Sequence, residues 1–166
     1  MPAAAASPAD AYVGLGSNLG DPAAEIERAL DELATLPATT LVARSSLYRT
    51  APLAAGGDDY VNAVARLRTT LVPIELLHAL QAIEHGHGRE RPFANAPRTL
   101  DLDLLLHGDA VLASDALTLP HPRLHERAFV VVPLAEIAPD LVVPGRGALA
   151  ALRAAVAGQR VVKLDR

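Results

Sequence analysis

Two aspartates separated by a single residue lie within a run of leucines, in the segment "TLDLDLLLH" at 99–107. If this segment is a β-strand, Asp101 and Asp103 point to the same face with a separation of roughly 6–7 Å. The leucines at 100, 102, 104 and 106 would then occupy the opposite face and enter the core. Two carboxylates at this separation can share a divalent cation or each bind one of a pair. The pattern indicates a metal site, although a simply solvated strand face would carry the same spacing.

Arginines are clustered on both sides of this segment: Arg89, Arg91 and Arg98 precede it, and Arg123 and Arg127 follow. Because the chain as a whole has a formal net charge of −4, this is a local basic region on an acidic protein. Arginine donates pairs of hydrogen bonds to phosphate oxygens, and Mg²⁺ is usually held by one or two carboxylates together with substrate phosphates. Together these residues predict a nucleoside triphosphate site. A solvated basic patch is the alternative.

The glycine-rich segment "GLGSNLG" at 14–20 superficially suggests a phosphate-binding loop. A dinucleotide fingerprint requires a glycine at the position of Leu19, and the chain also carries no Walker motif. We therefore expect a tight turn that presents Asn18 at the edge of the sheet. A triphosphate site must be built from other loops and side chains.

The segment "YVNAVARLRTT" alternates, with Val61, Ala63, Ala65 and Leu67 on one face. Tyr60 and Asn62 share the other face. An amide can read the donor and acceptor edge of a heterocycle, and an aromatic ring can stack on its plane. A structural role for each of these polar groups is the alternative.

Two pairs of histidines raise the question of zinc, but neither forms an H-E-x-x-H motif. The second pair lies in the proline-rich segment "LPHPRLHER", where His121 and His125 need not share a helix face. With Arg123 and Arg127 nearby, His121 is better suited to a phosphate contact.

The length of 166 residues and an apolar content of 51% suit one globular domain. We expect a disordered tail at 1–9 and a single domain at 10–166.

With no cysteine, disulfides and cysteine-ligated zinc are excluded. The N-terminus does not resemble a secretory signal, and no apolar run is long enough to cross a membrane. We therefore expect a cytoplasmic protein that is monomeric and binds neither membrane nor nucleic acid. Sparse aromatics and negative charge argue against an RNA-binding domain.

The coarse order of elements is β-α-β-β-α-β, with additions at the C-terminal end. Asp21 followed by Pro22 begins the first helix, whose apolar positions are 26, 30, 33 and 36. Pro73 begins the second helix, with an apolar stripe at 74, 77, 80 and 83. This order predicts an α+β, ferredoxin-like sandwich, in which a four-stranded antiparallel sheet has helices on one face. The opposite face would be free to hold a ligand. A hairpin partner at 110–114 and a closing edge strand at 160–166 are also expected.

Several segments, in this order along the chain, resemble one family, the 6-hydroxymethyl-7,8-dihydropterin pyrophosphokinases of folate biosynthesis. They are "GLGSNLGD" at 14–21, "SSLYRTAPL" at 45–53, "DYVNAV" at 59–64, "QAIEHGHGRER" at 81–91, "PRTLDLDLLLHGD" at 97–109 and "LTLPHPRLHERAFVVVPLAEIAPDL" at 117–141. The resemblance runs from about Ala11 to Leu141, and P-R-T-L-D-L-D is highly specific.

The resemblance implies transfer of the β,γ-pyrophosphoryl group of ATP to the hydroxymethyl oxygen of the dihydropterin, with release of AMP. It implies two Mg²⁺ on Asp101 and Asp103, and it assigns Arg91, Arg98 and the two aspartates to catalysis. Positions that match the ATP side are Gln81, Glu84, Arg89, Arg98, Leu104, Thr118, His121 and Arg127. Positions that match the pterin pocket are Thr50, Pro52, Leu53, Tyr60, Asn62, Asp101 and Phe129.

The chain departs from the family pattern at two places. Where the family usually carries R-W-G-P-R, this chain has "ANAPR", with Asn95 at the tryptophan position. Phe93 is a candidate to supply the missing aromatic ring. Ala116 stands where family members often carry a basic residue. A ligand-binding module without turnover is therefore the alternative to an enzyme, and production of AMP discriminates between the two.

Overall fold

The computed structural model describes residues 7–18, 20–50, 59–88 and 100–164. Its helices are α1 (Pro22–Leu33), α2 (Pro73–His87), α3 (Ala128–Ile137) and α4 (Leu149–Ala155), and a 3-10 helix covers Leu124–Glu126. Its strands are β1 (Ala9–Ser17), β2 (Thr39–Arg44), β3 (Tyr48–Thr50), β4 (Tyr60–Thr69), β5 (Asp101–His107), β6 (Leu112–Ala113), β7 (Thr118–Leu119), β8 (Val142–Val143), β9 (Gly147–Ala148) and β10 (Val162–Lys163). No helix in these ranges is long and apolar enough to cross a lipid bilayer.

The main sheet is antiparallel, with the order β10-β3-β4-β1-β5, and β2 also pairs with β4. This confirms the predicted α+β class and the split βαβ order. The sheet has six strands rather than four for two reasons. The extended segment at 39–50 is divided into β2 and β3 by an interruption that begins at Ser45, whose hydroxyl accepts a hydrogen bond from Val64 N–H at 2.9 Å. In addition, the C-terminal strand β10 pairs with β3.

Local capping rules account for the first turns of α1 and α2. The carboxylate of Asp21 accepts a hydrogen bond from Ala24 N–H at 3.2 Å, and Pro22 occupies the first turn. In α2 the Glu75 side chain accepts from Val72 N–H at 3.1 Å, before a stripe of buried residues at 76, 80 and 83. Ile74, which we expected in that stripe, is 38% exposed, because the helix turns its 76/80/83 face to the sheet.

Both faces of the sheet carry an apolar cluster. One lies under α1 and α2 and includes the four predicted residues of β4, at 61, 63, 65 and 67. The other joins Tyr12, Val64, Leu105 and Leu106 to α3 and α4. The prediction of an open second face is therefore wrong in part, since α3 and α4 cover one region of it and leave a polar region beside them.

The segment after β5 also differs from expectation. Gly108 takes a positive φ of 55° at the turn, as glycine readily does. The strand that follows, β6, pairs with β7 in a separate two-stranded sheet instead of pairing with β5.

Glu136 of α3 binds the segment where β2 ends and β3 begins. Its carboxylate accepts hydrogen bonds from the Tyr48 hydroxyl at 2.6 Å, the Ser46 hydroxyl at 2.8 Å and Ser46 N–H at 3.0 Å. Burial alone would raise the pKa of Glu136, but these hydrogen bonds and the nearby Lys163 hold it below its usual value. The ionised carboxylate thus stabilises the packing of α3 on the sheet.

We predict that Glu136→Gln lowers the free energy of unfolding at neutral pH by about 1 kcal/mol. This is less than the ~1.5–3 kcal/mol typical of hydrogen bonds to a charged group, because the Glu136 side chain is 29% exposed and solvent screens its charge. A carboxyl whose pKa is lowered by folding stabilises the protein at neutral pH, and this contribution is lost as the pH falls through the folded pKa. The difference in the free energy of unfolding between wild type and variant should therefore become smaller as the pH is lowered. Urea unfolding at a series of pH values measures it, with the exposed Asp140→Asn as control. A difference that stays constant down to acid pH would contradict the assignment.

Candidate active site

Asp101 and Asp103 lie on β5, both half-buried, while Leu100, Leu102 and Leu104 are buried against α1 and α2. The predicted division of the strand into a carboxylate face and a leucine face therefore holds over 100–104. It fails at Leu106, because the register with β1 shifts. Tyr12 pairs with Leu106 and Val13 with Leu104, which leaves Leu105 as an extra, bulged residue. Leu105 and Leu106 both join the cluster under α3.

A row of directly paired residues crosses the carboxylate face from strand to strand. Asp101 pairs with Gly16, Gly16 with Asn62, and Asn62 with Tyr48. Neighbouring strands are about 4.8 Å apart, so the aspartate and the amide are separated by roughly 9–10 Å across the glycine. Because Gly16 has no side chain, the sheet forms a flat floor between a carboxylate and an amide.

The fixed orientation of Asn62 comes from Thr50, whose hydroxyl donates to Asn62 Oδ1 at 2.7 Å inside the buried part of the sheet. The Asn62 Nδ2 atom then faces β1, and a Cβ added to Gly16 would lie 3.0 Å from it. At Gly14, the added Cβ would meet the Leu105 side chain at an ordinary 3.5 Å. Gly16 is thus part of the site through the space it leaves, whereas the sequence predicted only a tight turn over this glycine-rich segment. The strand β1 instead runs through Gly14 and Gly16 to Ser17.

Tyr60 and Phe129 border the same face. Tyr60 is half-buried and pairs with Thr50 at the start of β4. Phe129 of α3 packs at the margin of the second cluster, with the Arg127 guanidinium 5.5 Å from its ring centroid. The structure therefore brings Thr50, Tyr60 and Asn62 together and places Phe129 on the helix that covers the neighbouring part of this face. The predicted Pro52 and Leu53 lie outside the described residues.

A cleft of about 240 Å³ opens beside β5. It brings together four predicted residues, Asp103, Leu104, Thr118 and His121. The prediction did not include the other lining residues, which are Leu77, Leu102, Ser114, Asp115, Ala116, Leu117 and Pro122. The family pattern pointed to one of them, because Ala116 stands where a basic residue is common. The predicted Gln81 and Arg127 do not line this cleft.

His121 occupies the cleft as a neutral imidazole. Burial lowers the pKa of His121; the negative charge of Asp103 opposes this effect, and the positive charges of Arg127 and Arg123 add to it. Its Nδ1 accepts a hydrogen bond from Arg123 N–H at 3.1 Å. In the neutral ring the proton is then on Nε2, which can donate to an acceptor such as a phosphate oxygen.

Glu84 lies at the last turn of α2, where its Oε2 accepts a hydrogen bond from Leu102 N–H at 2.8 Å. This N–H lies between the two aspartates, on an edge strand. Sequence reasoning offered no signal for this contact, because it joins a helix to a strand whose register depends on the whole sheet. The predicted Arg89, Arg91 and Arg98, together with Phe93 and Asn95, lie outside the described residues.

Comparison with known proteins identifies relatives along almost the whole chain. The sequence model of the family described as 7,8-dihydro-6-hydroxymethylpterin-pyrophosphokinase (HPPK) matches residues 12–139. A protein of Haemophilus influenzae named 2-amino-4-hydroxy-6-hydroxymethyldihydropteridine pyrophosphokinase is 44% identical over 156 residues, 93% of this chain and 98% of its own length. A protein of the same name from Pseudomonas aeruginosa is 48% identical over 154 residues, covering 92% of this chain and 95% of its own length.

Solved structures give the same fold at low sequence identity. The Plasmodium falciparum HPPK-DHPS crystal structure with pteroate superimposes with a TM-score of 0.74 at 12% identity. The match covers 95% of this chain and 44% of that longer chain. At this identity the likeness shows the fold, and it agrees with the antiparallel sheet described above.

We predict that Gly16→Ala disturbs Asn62 whereas Gly14→Ala does not, because only the first methyl group would crowd the amide. Loss of the Thr50–Asn62 hydrogen bond should destabilise the Gly16 variant by about 1 kcal/mol. The side-chain amide resonances of Asn62 in ¹⁵N–¹H spectra and urea unfolding measure both effects. If the two variants shift Asn62 equally, the assigned packing of Gly16 is wrong.

Proposed function

Because this chain belongs to the 7,8-dihydro-6-hydroxymethylpterin-pyrophosphokinase family, we propose that it transfers the β,γ-pyrophosphoryl group of ATP to the hydroxymethyl oxygen of 6-hydroxymethyl-7,8-dihydropterin. AMP is the second product. The reaction belongs to folate biosynthesis, and the chain is a transferase. The observation that carries the proposal is the pair of half-buried carboxylates, which lies between a flat polar floor and a cleft.

The donor set on β5 fits Mg²⁺. Asp101 and Asp103 share one face of an edge strand, and Mg²⁺ usually takes one or two carboxylates and completes its shell with phosphates and water. Among the residues that the structure describes, no group of three or more acidic, histidine or cysteine side chains could hold an ion. Two bound Mg²⁺ would supply charge neutralisation on the triphosphate and would lower the pKa of the attacking hydroxyl.

The dihydropterin is proposed to lie on the floor formed by Gly16. Asn62 is held by Thr50, so its amide presents a fixed edge that a pyrimidinone-type ring can pair with. Tyr60 and Phe129 supply apolar ring surface at the border. Pro52 and Leu53 are also assigned to this pocket. Since Asp101 is directly paired with Gly16, the ring substituent that carries the hydroxymethyl group can reach the carboxylates.

ATP is proposed to occupy the cleft lined by Leu104, Thr118 and His121. The Nε2–H of neutral His121 donates to a phosphate oxygen, and the guanidinium of Arg127 adds positive charge nearby. We further assign Gln81, Glu84, Arg89 and Arg98 to this side of the site. The active unit is proposed to be a monomer.

Catalysis is proposed to depend on alignment and on charge, as in other phosphoryl transfers. The floor and the cleft hold the two substrates on either side of Asp101 and Asp103, which permits in-line attack. Arg91 and Arg98 offset negative charge that develops on the transferred group, because a guanidinium donates two hydrogen bonds and keeps its charge. His121 is a poor candidate for a general base, since its Nδ1 is occupied by Arg123 N–H.

We predict that the purified chain with Mg²⁺ produces AMP from ATP only when the dihydropterin is present. Asp103→Ala should reduce this activity at least 100-fold, which corresponds to about 2.7 kcal/mol of transition-state stabilisation, and should leave the circular dichroism spectrum unchanged. Asp109→Ala, in the exposed turn after β5, is the matched control. Formation of ADP would overturn the pyrophosphokinase assignment, and full activity of the Asp103 variant would overturn the metal-ligand role.

We also predict that Arg91→Ala decreases kcat more than it increases KM, because its charge is needed most in the transition state. Steady-state kinetics with each substrate in turn measures the two constants. An increase in KM alone would assign Arg91 to ground-state binding.

A further inference from the structure

A buried histidine ties the last turn of α2 to α1. The side chain of His87 is only 2% exposed, and its Nδ1 lies 2.6 Å from Glu25 Oε2. Its Nε2 is hydrogen-bonded to the carboxylate of Glu32. Both carboxylates come from α1, two helical turns apart, so the imidazole lies between them. We call these three residues the His87 clamp.

Three side chains of α1 converge on the ring of His87. Each ring nitrogen is hydrogen-bonded to a carboxylate, Nδ1 to Glu25 and Nε2 to Glu32. The Nη2 atom of Arg28 lies 3.4 Å from Nδ1, and Arg28 also binds the other oxygen of Glu25 at 3.2 Å. Without the imidazole, the carboxylates of Glu25 and Glu32 would lose the group that holds them to α2.

The same turn of α2 also contacts the proposed active site. Glu84 precedes His87 by three residues, which places the two on adjacent turns of the helix surface. Glu84 Oε2 accepts the hydrogen bond from Leu102 N–H at 2.8 Å, and Leu102 separates Asp101 from Asp103. The end of α2 is thus held to α1 by His87 and to the backbone of the carboxylate strand by Glu84.

We infer that His87 is a positioning residue for pyrophosphoryl transfer. The clamp fixes the last turn of α2, this turn fixes Glu84, and Glu84 holds the backbone between Asp101 and Asp103. The inference rests on the proposed function, in which these two aspartates align Mg²⁺ and the triphosphate. It assigns a role in the reaction to a residue that contacts neither substrate.

The test compares His87→Gln with His85→Gln. The glutamine side chain of the first variant can donate to one carboxylate but carries no charge and cannot bond to both. His85 lies two residues away in the same helix and is exposed, so its substitution controls for any histidine change at this end of α2. In the protein without ligands, amide hydrogen exchange of Leu102, followed by NMR, should be faster in the His87 variant and unchanged in the His85 variant. The amide of Leu67, in the centre of the sheet, reports any general loss of stability.

Kinetics supplies the second readout. At saturating ATP, Mg²⁺ and dihydropterin, kcat of His87→Gln should fall by about tenfold with little change in KM, since displacements of about 1 Å at a site can cost up to about 100-fold. Glu32→Gln removes the negative charge from one of the two carboxylates that bind His87. It should change both readouts in the same direction by less, and it replaces His87→Gln as the test if that variant does not fold.

Unchanged exchange at Leu102, an equal change at Leu67 and Leu102, or a wild-type kcat would each overturn the inference. A wild-type chain that makes no AMP would instead contradict the proposed function. In that case the exchange of Leu102 would still decide whether the clamp holds the carboxylate strand.

Discussion

Two negative charges on one face of an otherwise apolar edge strand are the constraint on which the rest of the structure depends. β5 must bury Leu102 and Leu104 beneath α1 and α2. Burial of a carboxylate without a partner is unfavourable, because even a neutral polar group costs about 2–7 kcal/mol when it is buried without a hydrogen bond. The bulge at Leu105 satisfies both requirements. Beyond it, Leu105 and Leu106 both pack under α3, so the apolar cover begins only where the aspartates end. Asp101 and Asp103 therefore stay half-buried, as the proposed binding of a cation and phosphates requires.

The neighbouring strand β1 has no side chain opposite either aspartate. β1 places glycines opposite both aspartates, at Gly14 and Gly16. Glycine in a strand interior weakens the strand relative to a residue with a side chain. At Gly16 space explains its presence, because a Cβ there would crowd Asn62, whereas a Cβ at Gly14 would meet Leu105 at an ordinary distance. Gly16 thus forms the floor of the candidate site, and nothing in the structure requires glycine at position 14.

Sequence reasoning predicted the parts of the molecule that local rules determine. Three features follow from short-range patterns: the alternation in β4 and in the first half of β5, the starts of α1 after Asp21 and of α2 at Pro73, and the order of the elements. The bulge at Leu105 and the cover formed by α3 and α4 could not be predicted, because each depends on packing between distant segments. The same holds for the Glu84–Leu102 contact and for the His87 clamp, which join residues 18 and at least 55 positions apart. For His87, the sequence offered only a histidine at the end of a helix.

The distribution of charge around the cleft bears on how an acidic chain could bind the proposed polyanion, ATP. Positive charge there is assigned to guanidinium groups, which do not lose it at any pH that a cell experiences. Burial and the nearby Arg127 and Arg123 lower the pKa of His121, so it provides a directed N–H without adding to the local charge. A third cation so close to two arginines would be destabilised. A neutral donor avoids this cost and, in the proposed complex with ATP, offers a phosphate oxygen a hydrogen bond of fixed direction.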